Sequence, residues 1–468
     1  MCRLYFLKPT MNSQANRPRS GKHLQLLALA ICLLAAFVAA RLLKPDNTMA
    51  TRAAHAPSAS EILASIPSIT GTSASEKALV AALAKARTSP ARADTWVAVG
   101  DCLAQRQRET ADPTFPAHAA AAYQQALRIM PNCVEALTGM AWVEGVAHRF
   151  DASIDWARQA LQVAPDCADA CGILGDAALE LGDYEEASAH YQKMMDLRPD
   201  LSSWSRGAQL LWITGESAHA VSLMEQAIRS GSAYAENTAW CRARLAMMLF
   251  HQGAYPAAAQ ALEPSLRARS KNPHVLLAAA RLATATGDPD IAREYYRMLL
   301  ENGPNHDALA GLGDLEAMKG NSAEAENFYQ QVIDLHTAHR SGGVHDHSQM
   351  ARFLADHDRD PLNALRLAEQ HKLSQNVHEA DTLAWVYHKN GNQQAAILAI
   401  KRALAHRTPE AEIHYHAGMI AATAGDEEAA RRHLSTAVSI NPRFHPIHAP
   451  IARKTLDRLA GATPNTQP

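Results

Sequence analysis

Hydrophobic and polar residues along this chain follow a helical pattern. Val, Ile and Thr nowhere alternate with polar residues over a long stretch, so the sequence predicts no β-sheet. Prolines that close apolar helical runs recur at an interval of 34 residues, at Pro131, Pro165 and Pro199. A fixed interval of this length indicates a repeated helical unit, and we therefore expect an all-α chain.

Residues 168–199 form the clearest of these units. Two helices are predicted on either side of Gly182, because glycine readily takes the left-handed conformation that follows a helix. Gly175 and Ala187 are small residues where the two helices cross, and Tyr191 fills the gap toward the neighbouring unit. The pattern predicts a helix-turn-helix hairpin that ends at a proline.

This unit closely resembles the tetratricopeptide repeat, and similar units continue over roughly residues 94–460. Near the C-terminus Gly391 and Gly425 are again 34 residues apart. The resemblance implies a right-handed superhelical solenoid of helix-turn-helix repeats over residues 76–442, with about nine or ten repeats. A capping helix and a disordered tail are expected over residues 443–468.

The N-terminal segment has the pattern of a membrane signal anchor. Residues 1–23 carry five basic and no acidic side chains, and residues 24–43 are almost continuously apolar. About 20 apolar residues span the bilayer core, and a basic flank stays in the cytoplasm. We therefore predict a cytoplasmic N-terminus, one transmembrane helix in the inner membrane, and a solenoid on the periplasmic side.

A cleaved signal peptide is the alternative for this segment. Val38-Ala39-Ala40 provides the small residues that a cleavage site requires. Arg41 directly after it is an awkward cleavage partner, and the apolar run is longer than most signal peptides have, so the anchor is preferred. Cleavage would give a soluble secreted product. In either case residues 44–75, rich in Ala, Ser, Thr and Pro, predict a flexible linker.

The charge balance argues against nucleic acid as a partner. Lysine and arginine number 45 against 47 acidic residues, which gives a formal net charge of −2. Binding to a phosphate backbone needs a clustered basic face. The seven cysteines are scattered and odd in number, so we expect neither a disulfide framework nor a zinc site from the single pair Cys167 and Cys171.

Motifs for catalysis are missing from the sequence. It has no Walker lysine motif, no G-x-S-x-G elbow and no H-E-x-x-H pair. We therefore expect no enzyme activity, catalytic residue, cofactor, resident metal or small-molecule substrate. Histidine is the one excess, with 23 residues. The alternative is a metal-binding or enzyme-accessory protein that uses the histidine-rich loop around His345 and His347.

The resemblance also suggests where a partner would bind. In tetratricopeptide repeats, four positions of each first helix usually line the concave face. In this chain they include Asp381 and Glu412, and a set of larger side chains suited to apolar partner groups. That set, our expected partner-binding groove, is Trp142, Met247, Phe250, His378, Trp385, His388, Tyr415 and Met419. The alternative is that several of them pack between helices.

The combination of anchor, linker and solenoid predicts a non-enzymatic interaction scaffold. We expect it to hold a protein or an extended peptide in an envelope assembly and to contact the membrane through its N-terminal helix. Family members that clamp a partner's C-terminal carboxylate use Lys and Asn at concave positions. This sequence does not, so we do not expect that class of partner.

Overall fold

The computed structural model describes residues 57–232, 235–301, 303–341 and 347–461. Within these ranges the regular structure consists of twenty-three α-helices and one short 3-10 helix at Glu369–His371, and no β-strand occurs in them. The predicted all-α solenoid is confirmed for this part of the chain.

Two helices lead into ten consecutive helical hairpins, and one further helix closes the chain. The leading helices are α1 (Ala59–Ser65) and α2 (Ala74–Thr88). The first five hairpins are α3 (Ala93–Thr110) with α4 (Phe115–Ile129), α5 (Val134–Val146) with α6 (Phe150–Val163), α7 (Ala168–Leu181) with α8 (Tyr184–Leu197), α9 (Leu201–Ile213) with α10 (Ser217–Ser230), and α11 (Glu236–His251) with α12 (Tyr255–Arg267). The last five are α13 (Pro273–Thr286) with α14 (Pro289–Leu300), α15 (His306–Met318) with α16 (Ser322–Ser341), α17 (His347–Asp356) with α18 (Pro361–Ala368), α19 (Val377–Lys389) with α20 (Gln393–Ala403), and α21 (Ala411–Thr423) with α22 (Glu427–Ile440). The closing helix is α23 (His448–Gly461).

The turn between α7 and α8 shows how the sequence separates the two helices of a hairpin. Gly182 has φ of 82°, a left-handed conformation that costs glycine little. Its N–H and that of Asp183 donate to carbonyls of the last turn of α7, at 3.1 and 2.9 Å. The Asp183 carboxylate then accepts from the N–H of Glu186 at 3.1 Å and caps α8. The predicted turn at Gly182 is confirmed.

A Gly-Asp pair in the first helix receives a tyrosine from the second helix in three hairpins. The tyrosine ring lies against the glycine, where a Cβ atom would overlap it. The tyrosine hydroxyl donates to the adjacent aspartate at 2.8–2.9 Å. The three sets are Gly100-Asp101 with Tyr123, Gly175-Asp176 with Tyr191, and Gly313-Asp314 with Tyr329. The crossing of the helices is thus fixed by both shape and hydrogen bonding.

The structure tests the predictions for the N-terminal segment only in part. Part of the expected flexible linker, residues 59–65, forms α1, because Ile62 and the following Ile66 bury their side chains in the core beside Trp96. The flexible-linker prediction is therefore wrong for this part. The predicted span at residues 24–43 lies outside the described residues. No helix among the described residues is long and apolar enough to cross a membrane.

The solenoid turns back on itself, so that late hairpins contact early ones. The N-terminus of α19 lies against the turn between α7 and α8. The Asn376 amide donates to the carbonyls of Leu179 and Glu180 at 3.4 and 3.2 Å, and the N–H of Val377 donates to the Tyr184 hydroxyl at 2.9 Å. Residues about 195 positions apart in the sequence thus become neighbours.

Two more contacts of this kind follow at the next hairpins. Thr408, just before α21, donates to the carbonyl of Ile213 at the end of α9 at 2.6 Å. Asn441, just after α22, donates to the carbonyl of Phe250 at 2.7 Å and accepts from the Tyr255 hydroxyl at 2.5 Å. One superhelical turn therefore takes six hairpins, and its two ends are joined by hydrogen bonds. We call these three contact regions the closure contacts.

Candidate functional site

A cavity of about 530 Å³ lies inside this closed turn. Its walls come mainly from the first helices of the last six hairpins, α11, α13, α15, α17, α19 and α21. The segment after α22 and the start of α23 complete the lining with Arg443, His445 and Arg453 among others. The concave face of the solenoid is thus the wall of a cavity.

Apolar and charged side chains share the cavity wall. Met247, Phe250 and Met318 supply apolar surface, and Met318 is 53% exposed. Arg281 pairs with Asp307 at 2.9 Å. The wall therefore offers both apolar contacts and ion pairs to whatever enters the cavity.

Glu410 is a partly buried anion on one side of the cavity. The Trp212 indole N–H donates to one of its carboxylate oxygens at 3.0 Å, and His378 lies 3.2 Å from the other. Burial alone would raise the pKa of the Glu410 carboxyl, but the charges of His378 and His251 and these hydrogen bonds outweigh it and lower the pKa. Glu410 is therefore ionised at neutral pH.

Asp314 and His357 form a second buried pair on the wall. His357 lies with Nε2 2.9 Å from the Asp314 carboxylate and Nδ1 2.8 Å from the carbonyl of Phe353, so both ring nitrogens face acceptors. Burial lowers the pKa of His357, but Asp314 outweighs it and the net shift is upward. Both partners of His357 favour the protonated ring, which makes the pair an internal salt bridge.

Arg352 ties three carboxylates together at the C-terminal end of the cavity. Its guanidinium contacts Asp356 at 3.0 Å, Asp381 at 2.8 Å and Glu412 at 3.3 Å. Burial by itself would raise the pKa of the Asp381 carboxyl, but His416 and Arg352 outweigh it and lower the pKa. We call Arg352 and these three carboxylates the arginine hub.

Histidines pack against the arginine hub from α21 and α23. His416 Nδ1 lies 2.9 and 3.0 Å from the two carboxylate oxygens of Asp381. His448 lies with Nε2 3.9 Å from Asp356 and Nδ1 3.6 Å from Glu412. His445 stacks on His448 with ring centroids 4.3 Å apart. Imidazole and carboxylate groups of this kind are common metal ligands.

The groove residues predicted from the sequence divide into three groups. Met247, Phe250 and His378 line the cavity. Trp385 and Tyr415, expected on an open face, are instead 2% exposed and lie in the core. The Trp385 ring stacks on His416 of α21 at 4.4 Å, and the Tyr415 ring stacks on His448 of the closing helix α23 at 4.8 Å.

The remaining three predicted residues lie away from the cavity lining. Trp142 is partly buried, and the Arg108 guanidinium lies 5.8 Å from its ring. His388 stacks on Trp385 at 5.0 Å, and Met419 packs near Thr455 of α23, 3.9 Å from sulfur to hydroxyl. The structure thus brings together only part of the predicted set.

The charged residues of the cavity wall were largely missed by reasoning from the sequence. Asp381 and Glu412 occupy concave positions in the first helices, but aromatic side chains were preferred over them as binding residues. Arg352 lies in α17, where the repeat pattern is degenerate. Reading charge as well as size at the concave positions would have pointed to the arginine hub. His345 lies outside the described residues, and His347 lies 6.2 Å from His371, ring to ring.

Family models of known proteins agree with this architecture. Models described as tetratricopeptide repeats match residues 138–202, 238–271, 277–339 and 382–443. A solved chain of the APC/C hetero-tetramer Cut9–Hcn1 aligns with 83% of this chain and 90% of its own length, at 13% identity and a TM-score of 0.38.

Two curated relatives match shorter stretches of the chain. Human protein O-mannosyl-transferase TMTC1 is 25% identical over 190 residues, and cellulose synthase 1 operon protein C of Komagataeibacter xylinus is 27% identical over 186 residues. Each alignment covers 39% of this chain. It covers 21% of the first relative and 12% of the second, so the chain spans only a small share of either one.

Proposed function

Because this chain is a tetratricopeptide repeat protein, we propose that it is a non-enzymatic scaffold that holds a segment of another protein in the cavity of its closed turn. Repeats of this kind suggest protein–protein interaction. The observation that carries the proposal is the position of the cavity, which is lined by the concave first helices of six consecutive hairpins. Stacked repeats present an extended binding surface on this face.

The chemistry of the cavity wall supports the binding of a partner. Its main carboxylates are held by arginine or histidine partners, as in Arg281 with Asp307 and His357 with Asp314. These pairs place fixed positive and negative charges on the wall, where they can complement polar groups of a partner. Met247, Phe250 and Met318 provide apolar surface for a partner side chain.

A bulky substitution inside the cavity tests this proposal. Thr284 lines the cavity, is partly buried, and donates to the carbonyl of Ala280 in its own helix at 2.9 Å. Thr284→Trp should fill part of the cavity and release the partner. Affinity capture from membranes is carried out with the wild-type protein and with Thr284→Trp. The amount of each retained protein is then compared between the two.

Thr436 provides the matched control. It is also partly buried and makes the same bond within α22, to Arg432 at 2.8 Å, but does not line the cavity. We expect Thr436→Trp to retain the wild-type partner and Thr284→Trp to lose it, with similar melting temperatures. Equal retention by both variants would show that the partner binds elsewhere on the solenoid.

We further propose that residues 24–43 anchor the protein in the inner membrane, with the solenoid in the periplasm as part of an envelope assembly. The apolar run and its basic flank support this topology. Deletion of residues 1–44 should move the protein from the membrane to the soluble fraction. In spheroplasts, added protease should digest the solenoid of the full chain. Retention of the deleted form in membranes, or a protected solenoid, would contradict the topology.

N-terminal sequencing of the mature chain separates the anchor from the cleaved signal peptide. An anchored chain keeps its residues before Arg41. A chain that begins at Arg41 would instead be a secreted product cleaved after Ala40.

A further inference from the structure

Three helices bring metal-binding side chains to one buried point beside the cavity. Asp356 ends α17, His416 lies in α21, and His448 begins α23. One ligand atom from each of the three lies within 4.8 Å of the other two. His416 is 0% exposed and His448 is 2% exposed. We propose that Asp356, His416 and His448 form a binding site for a divalent transition-metal ion of the zinc class.

His416 is oriented as a metal ligand would be. Its Nδ1 faces both oxygens of Asp381, so this nitrogen carries the proton and donates to the carboxylate. Nε2 then holds a free lone pair, and within the described part of the chain it is buried without a hydrogen-bond partner. Histidines that bind metals usually donate their other N–H to a carboxylate in this way. Asp381 would be the positioning residue of the site.

His448 also has ring nitrogens available. Among the described residues its Nδ1 has no hydrogen-bond partner, since the Glu412 carboxylate lies 3.6 Å away. Its Nε2 lies 3.9 Å from Oδ1 of Asp356, which is also too far for a hydrogen bond. A buried polar atom left without a partner costs free energy, so native structures rarely keep one without a reason. A metal ion beside Asp356 would bind Nε2 of both histidines, and Nδ1 of His448 would then face the Glu412 carboxylate, 3.6 Å away.

Aromatic rings hold the two histidines in place. The Trp385 ring stacks on His416 at 4.4 Å and an angle of 26°, and the Tyr415 ring stacks on His448 at 4.8 Å and 19°. These contacts restrict rotation of both imidazoles and exclude water from them. A fixed donor geometry in an apolar surrounding favours tight binding of a metal.

The charge around the site also favours a divalent cation. Three carboxylates, Asp356, Asp381 and Glu412, surround the single guanidinium of Arg352. With the histidines neutral, this group carries two uncompensated negative charges. Burial of unpaired charge is costly, and one divalent ion would neutralise it.

The donor set and distances fit zinc better than the harder cations. Imidazole donors suit zinc and its neighbours, whereas calcium and magnesium prefer oxygen alone. Ligand atoms on one tetrahedral zinc ion lie about 3.3 Å apart at bonds of about 2.0–2.1 Å. His448 and Asp356 would therefore approach by about 0.6 Å. Residues 441–447 before His448 are not helical, which allows this shift.

A second group, Glu412, His445 and His448, competes for the same ion. In that group, Nδ1 of His445 already accepts from the backbone N–H groups of Ile447 and His448, at 3.2 and 3.4 Å. The first group has the better donors, so His416 rather than His445 should decide metal binding.

A metal at this point would join the closing helix α23 to α17 and α21. The exposed apolar end of a solenoid needs a cap, and α23 packs over the core residues of the last hairpin. Binding should therefore raise the melting temperature of the protein, because the folded state alone presents the ligands together.

The test uses the purified full chain in detergent, treated with a chelator and titrated with Zn²⁺ in a calorimeter. We expect one tightly bound ion per chain and a higher melting temperature with zinc. Asp356→Asn, His416→Gln and His448→Gln should each weaken binding at least roughly 100-fold, and Asp381→Asn about 10–100-fold. Co²⁺ in place of zinc should give the visible absorption of a four-coordinate ion in wild type and not in His416→Gln.

His445→Gln and the pair His345→Gln with His347→Gln are the controls, and should keep wild-type affinity. The circular dichroism and melting curve of each metal-free variant identify any that fail to fold, and Asp381→Asn then serves as the second line of test. The proposal is overturned if wild type binds no stoichiometric zinc. It is also overturned if zinc is lost in His445→Gln or the loop variant and retained in His416→Gln.

Discussion

The tyrosines of the second helices show how much one side chain decides in each hairpin. Gly175 was expected from the sequence to be small at a helix crossing, with Tyr191 filling a gap. In the structure the Tyr191 ring lies directly on Gly175, and its hydroxyl donates to Asp176 at 2.9 Å. Burial raises the pKa of the Tyr191 phenol well above its usual value, so it remains a donor at all ordinary pH.

We predict that Gly175→Ala destabilises the protein even though alanine is the better helix former. The new Cβ would overlap the Tyr191 ring, and overpacking of this kind costs about 1–3 kcal/mol. Gly145→Ala is the matched control, because its Cβ would meet only Ser153 Oγ at 3.4 Å. That change should be neutral or should raise the free energy of unfolding by up to about 1 kcal/mol. Denaturant unfolding measures the free energy of unfolding of both variants. Equal changes in the two would contradict a tight contact between Gly175 and the Tyr191 ring.

The predicted groove failed at Trp385 and Tyr415 for a reason visible at single residues. Large aromatic side chains at concave positions can face either a partner or the next layer of protein. Here His416 of α21 stacks on Trp385 and His448 of α23 stacks on Tyr415, and no local pattern in the last repeats encodes these contacts. For these two repeats, the size of a side chain at a concave position was a weaker indicator of the cavity wall than its charge, since Asp381 and Glu412 do lie on that wall.

Two helices start from segments that share three of five residues and use them differently. The start of α13 reads Ser270-Lys271-Asn272-Pro273-His274, and the start of α19 reads Ser374-Gln375-Asn376-Val377-His378. In each, the asparagine side chain accepts from the N–H groups two and three residues later and caps the helix. Only Asn376 also donates, to Leu179 and Glu180 in the closure contacts, whereas the Asn272 amide nitrogen has no partner among the residues that the structure describes.

This difference predicts unequal effects of one substitution. Asn376→Asp keeps the cap but loses two donated hydrogen bonds and turns a carboxylate oxygen toward the carbonyls of Leu179 and Glu180. We expect a loss of about 1–3 kcal/mol in the free energy of unfolding. Asn272→Asp keeps its cap and loses no donated bond, so its melting temperature should stay near wild type. If both variants melt alike, the closure contact at Asn376 contributes nothing to stability.

The helical hairpins could be predicted from the sequence, but the closure contacts could not. The helical hairpins were predictable, because small residues, turn glycines such as Gly182 and closing prolines lie within each unit. The closure contacts join residues 186–198 positions apart, as in Tyr255 with Asn441 and Trp212 with Glu410. Such pairs follow from the accumulated rotation of six hairpins, which no single repeat specifies, so the cavity could not be predicted.

The closed turn explains why the cavity wall combines residues from six hairpins and the closing helix. Each hairpin contacts its sequence neighbours, as in any solenoid, and the closure contacts add a second set of neighbours one turn away. A partner segment in the cavity would touch several hairpins at once. Binding would therefore be sensitive to changes at either end of the turn, including the metal-binding cluster at α17, α21 and α23.

Site-specific photo-crosslinking tests the central claim most directly. Met318 lines the cavity and is 53% exposed, while Ile291 in α14 is 49% exposed and does not line it. A photoreactive amino acid at either position should be tolerated equally, so the pair differs mainly in location. We predict a crosslink from position 318 to one partner protein in native membranes, and none to that partner from position 291. Crosslinking of the partner from position 291 and not from position 318 would contradict a binding site inside the closed turn.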